Sequence, residues 1–207
     1  MERRETLSDS MISVIIPNAN EERIHEVIKE TEEIINDGEI IIAVDRDRRG
    51  KGWAVREALR EAKGDIIIFI DGDMDIHPKM IRRLLPHLQE FDIVVGKKDS
   101  RGLLSRYILT ILSRLFIYTL FKIKVDTQTG LKIFRRYSLP EWECNSWPFD
   151  IEILAKAKHA GFSMFEVTIE ASSTKRMKLK AIWNTFVSTL KIWKEVIIHE
   201  SKRKESR

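Results

Sequence analysis

An uninterrupted apolar run from Ile66 to Ile70 places the main constraint on how this chain can fold. All five residues are β-branched or aromatic, which is typical of a central parallel strand covered on both faces. Asp71, Asp73 and Asp75 follow directly, beyond the carboxyl end of the predicted strand, where open α/β sheets bind ligands. Carboxylates at alternate positions suit a hard divalent ion that bridges to substrate phosphates. The alternative, a cap for a helix that begins near Pro78, needs only one aspartate.

Composition and length restrict the class of protein. With 207 residues, 43% of them hydrophobic and 33% charged, the chain fits one globular domain with a full core. The net charge of +4 is modest and no aromatic-basic surface motif is present, which argues against a nucleic-acid partner. Cys144 is the only cysteine, so no internal disulfide can form and a reducing compartment is expected. We find no signal-peptide pattern, and no apolar segment reaches the ~20 residues that cross a bilayer.

Short apolar strands alternate with amphipathic helices through the first half of the chain. The predicted strands cover residues 11–16, 40–44, 66–70 and 93–95, and the predicted helices cover 20–35, 53–62 and 78–88. This alternation predicts an α/β fold in which a parallel or mixed sheet carries helices on both faces.

The second half of the chain contains longer helices. An apolar stripe that begins at Leu104 predicts one helix, and the last predicted helix covers about residues 179–198. Between them we predict a strand at 131–134, a helix at 148–159 and a strand at 162–169. Trp183 and Trp193 lie among lysines on the apolar stripe of the last helix, a pattern typical of a helix in a membrane interface. A terminal helix that packs on the protein's own core would show the same stripe, so both interpretations stay open.

Six segments resemble, in order, motifs of the inverting family 2 glycosyltransferases. They are residues 15–22 (IIPNANEE), 50–56 (GKGWAVR), 64–73 (GDIIIFIDGD), 126–134 (DTQTGLKIF), 147–154 (WPFDIEIL) and 173–175 (STK). The last three are most similar to the dolichyl-phosphate sugar synthases of that family, namely the dolichyl-phosphate β-glucosyltransferases and then the mannose synthases. The resemblance extends over about residues 12–195.

The resemblance implies a GT-A fold and a metal-dependent, inverting transfer of a hexose from a nucleotide sugar, UDP-glucose or GDP-mannose, to dolichyl or polyprenyl phosphate. It implies Mg²⁺ or Mn²⁺ as cofactor and a peripheral location on the cytoplasmic, inner face of a membrane, where a membrane-embedded protein is a further candidate partner. Residues 1–176 would be the catalytic domain, and 177–207 an amphipathic helix with a basic tail. The implied donor and cofactor residues are Pro17, Asn20, Glu21, Asp45, Asp47, Lys51, Asp71 and Gln128, and the implied metal ligands are Asp71, Asp73 and Asp75.

The chemistry of a phosphate acceptor indicates residues on the acceptor side. Such a phosphate is largely ionised at neutral pH, since its second pKa is about 6, so it needs basic groups to position it more than a strong base. Arg101, Arg106 and Lys175 are the candidates, because their segments border the acceptor cleft in the resembling family; each could instead be a solvated surface charge. Asp73 would act on the leaving group with the metal. Asp150 would position the acceptor, deprotonate a hydroxyl acceptor, or merely cap its helix.

The nucleotide-binding half is shorter than the family pattern. The family has a helix and a further strand before the GKG element, whereas here Gly50 follows Asp47 after only Arg48 and Arg49. We expect thinner walls around the base, and Asp45 and Asp47 are ambiguous counterparts of the base-contacting aspartate, with surface-turn chemistry as the alternative. Two other functions stay open: a related transferase that uses a hydroxyl acceptor, and a nucleotide-sugar-binding protein without catalysis.

Overall fold

The computed structural model describes residues 10–18, 21–35, 38–99, 104–171 and 179–205, with the backbone alone at 104–109, 179–182 and 197–205. Its strands are β1 (Ile12–Asn18), β2 (Gly38–Val44), β3 (Ile66–Phe69), β4 (Ile93–Lys98), β5 (Lys132–Arg135) and β6 (Met164–Ile169). They form one sheet in the order β2-β1-β3-β5-β4-β6. β5 runs antiparallel to β3 and β4, and the other neighbouring strands are parallel. The expected α/β class with a mixed sheet is confirmed.

The helices are α1 (Ile24–Glu32), α2 (Lys51–Glu61), α3 (Ile81–Leu84), α4 (Leu104–Phe121), α5 (Phe149–His159) and α6 (Leu179–Glu205). The prediction of one continuous helix at 78–88 is wrong. The short α3 lies between 3-10 turns at Pro78–Met80 and Leu85–Gln89. Pro86 explains the break, because proline lacks an N–H and its ring clashes with the carbonyl one turn earlier.

Two apolar clusters pack on opposite faces of the sheet, and β3 contributes to both. Ile67 and Phe69 enter the cluster formed with α2, α4, α5 and α6, whereas Ile66 and Ile68 enter the cluster formed with α1 and α3. All four side chains are almost completely buried. The run that the sequence singles out is therefore a central strand covered on both faces, as predicted.

α4 and α6 are neighbours that bury only part of their apolar surface. Phe116 stacks on Phe186 with ring centroids 4.7 Å apart, and Ile192 and Val196 of α6 lie in the core. The exposed large apolar residues of this pair, called here the α4–α6 surface, are Ile111, Leu112, Leu115, Tyr118, Trp183, Phe186 and Leu190. In the described part of the chain, no helix combines the length and apolar character that crossing a membrane requires.

Candidate functional site

The carboxyl ends of β1 and β3 lie side by side and define one end of the sheet, called here the site pole. β1 pairs with β3 in parallel, with Ile15 opposite Phe69, so Pro17, near the end of β1, and Asp71, just after β3, lie at neighbouring strand ends. Because β5 is antiparallel, its amino end is at the same pole, with Lys132 opposite Phe69. Segments that are far apart in the sequence therefore meet here.

A short ion pair joins the first residue of α2 to the first aspartate after β3. Lys51 Nζ lies 2.5 Å from Asp71 Oδ1, and both side chains are mostly buried. Burial alone would lower the pKa of Lys51, but the carboxylates of Asp71 and Asp150 outweigh it and raise that pKa. Burial alone would raise the pKa of Asp71, but Lys51 holds it below its ordinary value. Both groups are therefore charged near neutral pH.

Aromatic rings also lie close to the Lys51 ammonium. Its Nζ lies 4.7 Å from the ring centroid of Trp147 and 5.9 Å from that of Phe149, distances at which a ring face attracts a cation. Trp147 is 50% exposed, so part of its ring remains open to a ligand.

Gly130 brings the DTQTG segment directly against Asp71. A Cβ added at Gly130 would overlap Oδ2 and Cγ of Asp71 and lie 3.1 Å from its Cβ. Only glycine therefore leaves Asp71 in the position where it meets Lys51.

The acidic segment turns sharply between its second and third aspartates. Met74 has a φ of 61°, in the left-handed region that a bulky residue rarely adopts, and its side chain is buried. Asp73 Oδ1 accepts the Asp75 N–H at 3.0 Å, and Lys98 Nζ lies 3.5 Å from Asp75 Oδ2. Backbone strain of this kind is concentrated at functional sites.

The donor atoms of this segment suit a divalent ion, but they do not form a closed cage. Among the described residues, no group of three or more His, Cys, Asp or Glu side chains is arranged to hold a metal. Asp71 makes the short contact with Lys51 at 2.5 Å, whereas Lys98 lies 3.5 Å from Asp75, so Asp73 and Asp75 are the better candidates. Mg²⁺ is commonly held by one or two carboxylates together with substrate phosphates, and this donor set fits that mode. The three-carboxylate site stays a prediction.

Asp150, in the first turn of α5, is buried beside Lys132. Lys132 Nζ lies 3.2 Å from Asp150 Oδ1 and also donates to the carbonyl of Thr129. Burial raises the pKa of Asp150, and the attraction of Lys132 and Lys51 offsets only part of this effect.

The loop before α5 is fixed by hydrogen bonds to two helices, α5 and α2. Glu152 Oε1 and Oε2 accept the backbone N–H groups of Glu143 and Cys144 at 2.9 and 2.8 Å. Trp142 Nε1 donates to the carbonyl of Gly52 at 3.0 Å. These bonds tie the loop to α5 and α2, and they support the position of Trp147 at the site.

Gln128, expected at the donor site, is exposed on a loop that Glu166 stabilises. Glu166 Oε2 accepts the Asp126 N–H at 2.7 Å, and Asp126 Oδ1 accepts the Gln128 N–H at 2.9 Å. A small depression at this position is lined by Thr127, Gln128, Trp147, Pro148, Asp150, Ile151 and Thr185.

Some of the other expected residues make hydrogen bonds with backbone N–H groups of nearby turns. Others lie outside the described residues. Asp45 accepts the N–H groups of Arg49 and Gly50 at 2.8 and 2.7 Å, as a turn residue does, and Asp47 lies 3.5 Å from Arg49. Glu21 follows β1, and its N–H donates to Asn18 Oδ1 at 3.1 Å. Asn20, Arg101 and Lys175 lie outside the described residues, as does the side chain of Arg106, whose backbone belongs to α4.

Sequence reasoning missed Lys98 and Lys132 as site residues. Lys132 carried a usable signal, because it is a charged residue among the apolar neighbours Leu131, Ile133 and Phe134. Lys98 is the last residue of β4, and nothing in the surrounding sequence indicates that it contacts Asp75, 23 positions away.

Comparison with known proteins adds a family and a fold. Residues 13–138, more than half of the chain, match the family described as Glycosyl transferase family 2. A dolichyl-phosphate beta-glucosyltransferase of Drosophila melanogaster is 27% identical over 157 residues, 67% of this chain and 48% of that protein. Glycosyltransferase AglD of Haloferax volcanii is 29% identical over 140 residues, 60% of this chain and 22% of that protein. The chain thus spans about half or less of these relatives.

Among solved structures, glucosyl-3-phosphoglycerate synthase of Mycobacterium tuberculosis, in complex with Mn²⁺, UDP-glucose and phosphoglyceric acid, is similar. The TM-score is 0.75 at 18% identity, over 91% of this chain and 80% of that chain. The likeness confirms the expected GT-A fold class.

Proposed function

The chain belongs to glycosyltransferase family 2, and we propose on this basis that it transfers a hexose from a nucleotide sugar to a polyprenyl phosphate such as dolichyl phosphate. The observation that carries the proposal is the charged site at the ends of β1, β3 and β5, where Asp71 is paired with Lys51 beside Asp73 and Asp75. An intact site of this kind also argues against a binding protein that has lost catalysis.

The nucleotide diphosphate would lie at the site pole, where its charge can be balanced. A divalent ion, Mg²⁺ or Mn²⁺, held by Asp73 and Asp75, would neutralise the charge that develops on the leaving diphosphate. Lys51 and Lys98 each lie close to a carboxylate of the acidic segment, and each can donate to phosphate oxygens. Support for a metal comes from the structural neighbour, which was solved with Mn²⁺ and UDP-glucose.

The acceptor assignment rests on the relatives and on the charge of the acceptor. The relatives named dolichyl-phosphate beta-glucosyltransferase act, by name, with a lipid phosphate. A phosphate is already anionic at neutral pH, so the protein must position it and exclude water rather than deprotonate it. Arg101, Arg106 and Lys175 remain the proposed phosphate-binding residues.

A lipid acceptor requires contact with a membrane surface, and the α4–α6 surface is the proposed contact. Trp183 is 66% exposed, and Leu112 and Leu115 are each 56% exposed. The sequence contains no acidic residue from position 104 to 125 or from 179 to 194, whereas Lys191 and Lys194 are exposed. Exposed apolar residues combined with a basic surface suit anionic lipid headgroups at the cytoplasmic face. Residues 177–207 would then form a unit that contacts both the membrane and the core.

A hydroxyl acceptor is the second candidate, and the environment of Asp150 favours it. Burial raises the pKa of this carboxyl, and a carboxylate with a raised pKa is a better general base. Asp150 would then deprotonate the acceptor hydroxyl.

The test is to incubate the purified protein with labelled UDP-glucose and GDP-mannose, with dolichyl phosphate or a panel of hydroxyl acceptors, and with Mn²⁺ or Mg²⁺. We expect a glycolipid product that depends on the metal, with Asp73→Asn as the inactive control. Transfer only to hydroxyl acceptors would replace the first candidate by the second. Absence of transfer with every pair, from folded protein that binds nucleotide sugar, would reject both.

A further inference from the structure

Lys132 is a lysine buried in the middle of a sheet. It begins β5, which lies between β3 and β4, and it is 1% exposed. Lysine is almost never fully buried without a charged partner, because removal of the ammonium from water costs several kcal/mol. An apolar residue would fill the same place at no such cost, so the charge requires a reason.

The partners of Lys132 connect the two sides of the site. Its ammonium is 3.2 Å from Asp150 Oδ1 and donates to the carbonyl of Thr129. The next residue after Thr129 is Gly130, whose backbone packs against Asp71. One short segment, residues 129–132, therefore holds the buried carboxylate of α5 and borders the carboxylate that pairs with Lys51.

On the basis of the proposed transfer reaction, we infer that Lys132 is a positioning residue that holds Asp150 as an oriented carboxylate for a hydroxyl group of the bound hexose or acceptor. Asp150 lines the same depression as Gln128 and Trp147, and the Trp147 side chain is half exposed. A carboxylate accepts a stronger hydrogen bond from a hydroxyl than a neutral acid does. Lys132 itself is too deeply buried to touch a substrate, so its effect passes through Asp150.

The charged groups that face Asp150 fix the expected pH behaviour. They are Lys132 on β5, Lys51 at the start of α2 and, with opposite sign, Asp71 after β3. Removal of the Lys132 charge favours the protonated acid, so Asp150 should then need a higher pH to ionise. Replacement by methionine keeps an unbranched side chain that is one atom shorter, and it removes the charged ammonium that contacts Asp150.

The experiment compares wild type with Lys132→Met, Asp150→Asn and the double variant. Lys156→Met is the matched control, since Lys156 pairs with Glu152 on the same helix at 2.6 Å. The first readout is the ¹³C titration of the Asp150 carboxyl, assigned by its loss in Asp150→Asn. We expect its midpoint to rise in Lys132→Met and to stay unchanged in Lys156→Met. This readout does not depend on transfer, so it separates a failure of this inference from a failure of the proposed function.

The second readout is the rate of transfer between pH 5 and 9. Its dependence on donor concentration and on acceptor concentration is measured separately. Lys132→Met should lower transfer about tenfold at low pH and less at high pH, with donor affinity unchanged. In the Asp150→Asn background the same substitution should change transfer by less than about twofold, since residues that act as one unit are not additive. This last comparison holds even if Lys132→Met alone does not fold, because the double variant leaves no unpaired buried charge. Two results would overturn the inference. One is an Asp150 titration that does not shift in Lys132→Met, and the other is a loss of transfer in the double variant that equals the product of the losses in the two single variants.

Discussion

Gly130→Ala should disrupt the donor side of the site by adding a single methyl group. The added Cβ would overlap the carboxylate of Asp71, which is held 2.5 Å from Lys51 Nζ. Since an ordinary C···O contact is ~3.3 Å, the carboxylate must retreat by roughly 1 Å or more, or the strand must shift. Either movement weakens the ion pair.

The magnitude follows from what is lost. A charge-assisted hydrogen bond contributes ~1.5–3 kcal/mol, so nucleotide-sugar affinity should fall about 10- to 100-fold if Asp71 and Lys51 border the donor. Overpacking by one methyl group costs ~1–3 kcal/mol, which for a chain of this size lowers the Tm by roughly 3–10 °C. Isothermal titration calorimetry with UDP-glucose and GDP-mannose, together with thermal unfolding, measures both.

Gly161→Ala is the control for this substitution. Gly161 has a φ of 90°, but an added Cβ there meets no atom within 4 Å, and the residue lies far from the site, between α5 and β6. Alanine should cost ~1–2 kcal/mol of backbone strain and leave donor affinity unchanged. If Gly130→Ala stays folded and binds the donor as wild type does, the role given to the Lys51–Asp71 pair is wrong.

Three further substitutions test other parts of the site. Asp73→Asn should lower transfer on the order of 100-fold and weaken Mn²⁺ binding in calorimetry, since it removes a metal ligand; full activity in excess chelator would contradict this. Trp183→Glu should reduce co-sedimentation with anionic liposomes roughly tenfold at unchanged Tm, because the side chain is 66% exposed, and equal sedimentation would favour the core-packing role of α6. Asp150→Asn should gain stability relative to wild type as pH rises above 3.8, the ordinary pKa of this carboxyl. The folded wild type holds its proton more tightly than the unfolded chain, so its stability falls as pH rises through the raised pKa; a Tm difference that is constant between about pH 4 and 8 would exclude this.

Local pattern predicted the parts of the fold that depend on neighbours in sequence. The run at 66–70 predicted a strand covered on both faces, and its burial confirms this. The acidic segment was expected at the carboxyl end of that strand, and it lies there. Pro86 interrupts the helix that the pattern predicts at 78–88, and its lack of an N–H is a signal that the sequence itself carries.

Contacts between distant segments could not be read from the pattern. The direction of β5 depends on how α4 returns the chain to the sheet, and alternation of apolar residues is the same in both directions. Without that direction, neither the contact of Gly130 with Asp71 nor the pair of Lys132 with Asp150 can be predicted. The resemblance supplied the order of the motifs, and the reversed strand explains why the fourth motif meets the third.

The reversal of β5 also divides the loops of this protein into two classes for engineering. At the site pole, both the segments that leave β1 and β3 and the segment that enters β5 carry site residues, so inserted peptides there should interfere with ligands. The turn at Gly161 lies at the opposite pole, where β6 starts beside Ile93 at the start of β4, and it is exposed with open space around it. A fluorescent or affinity tag inserted at that turn should therefore leave the site intact, which makes it the place to label the protein for binding and membrane experiments.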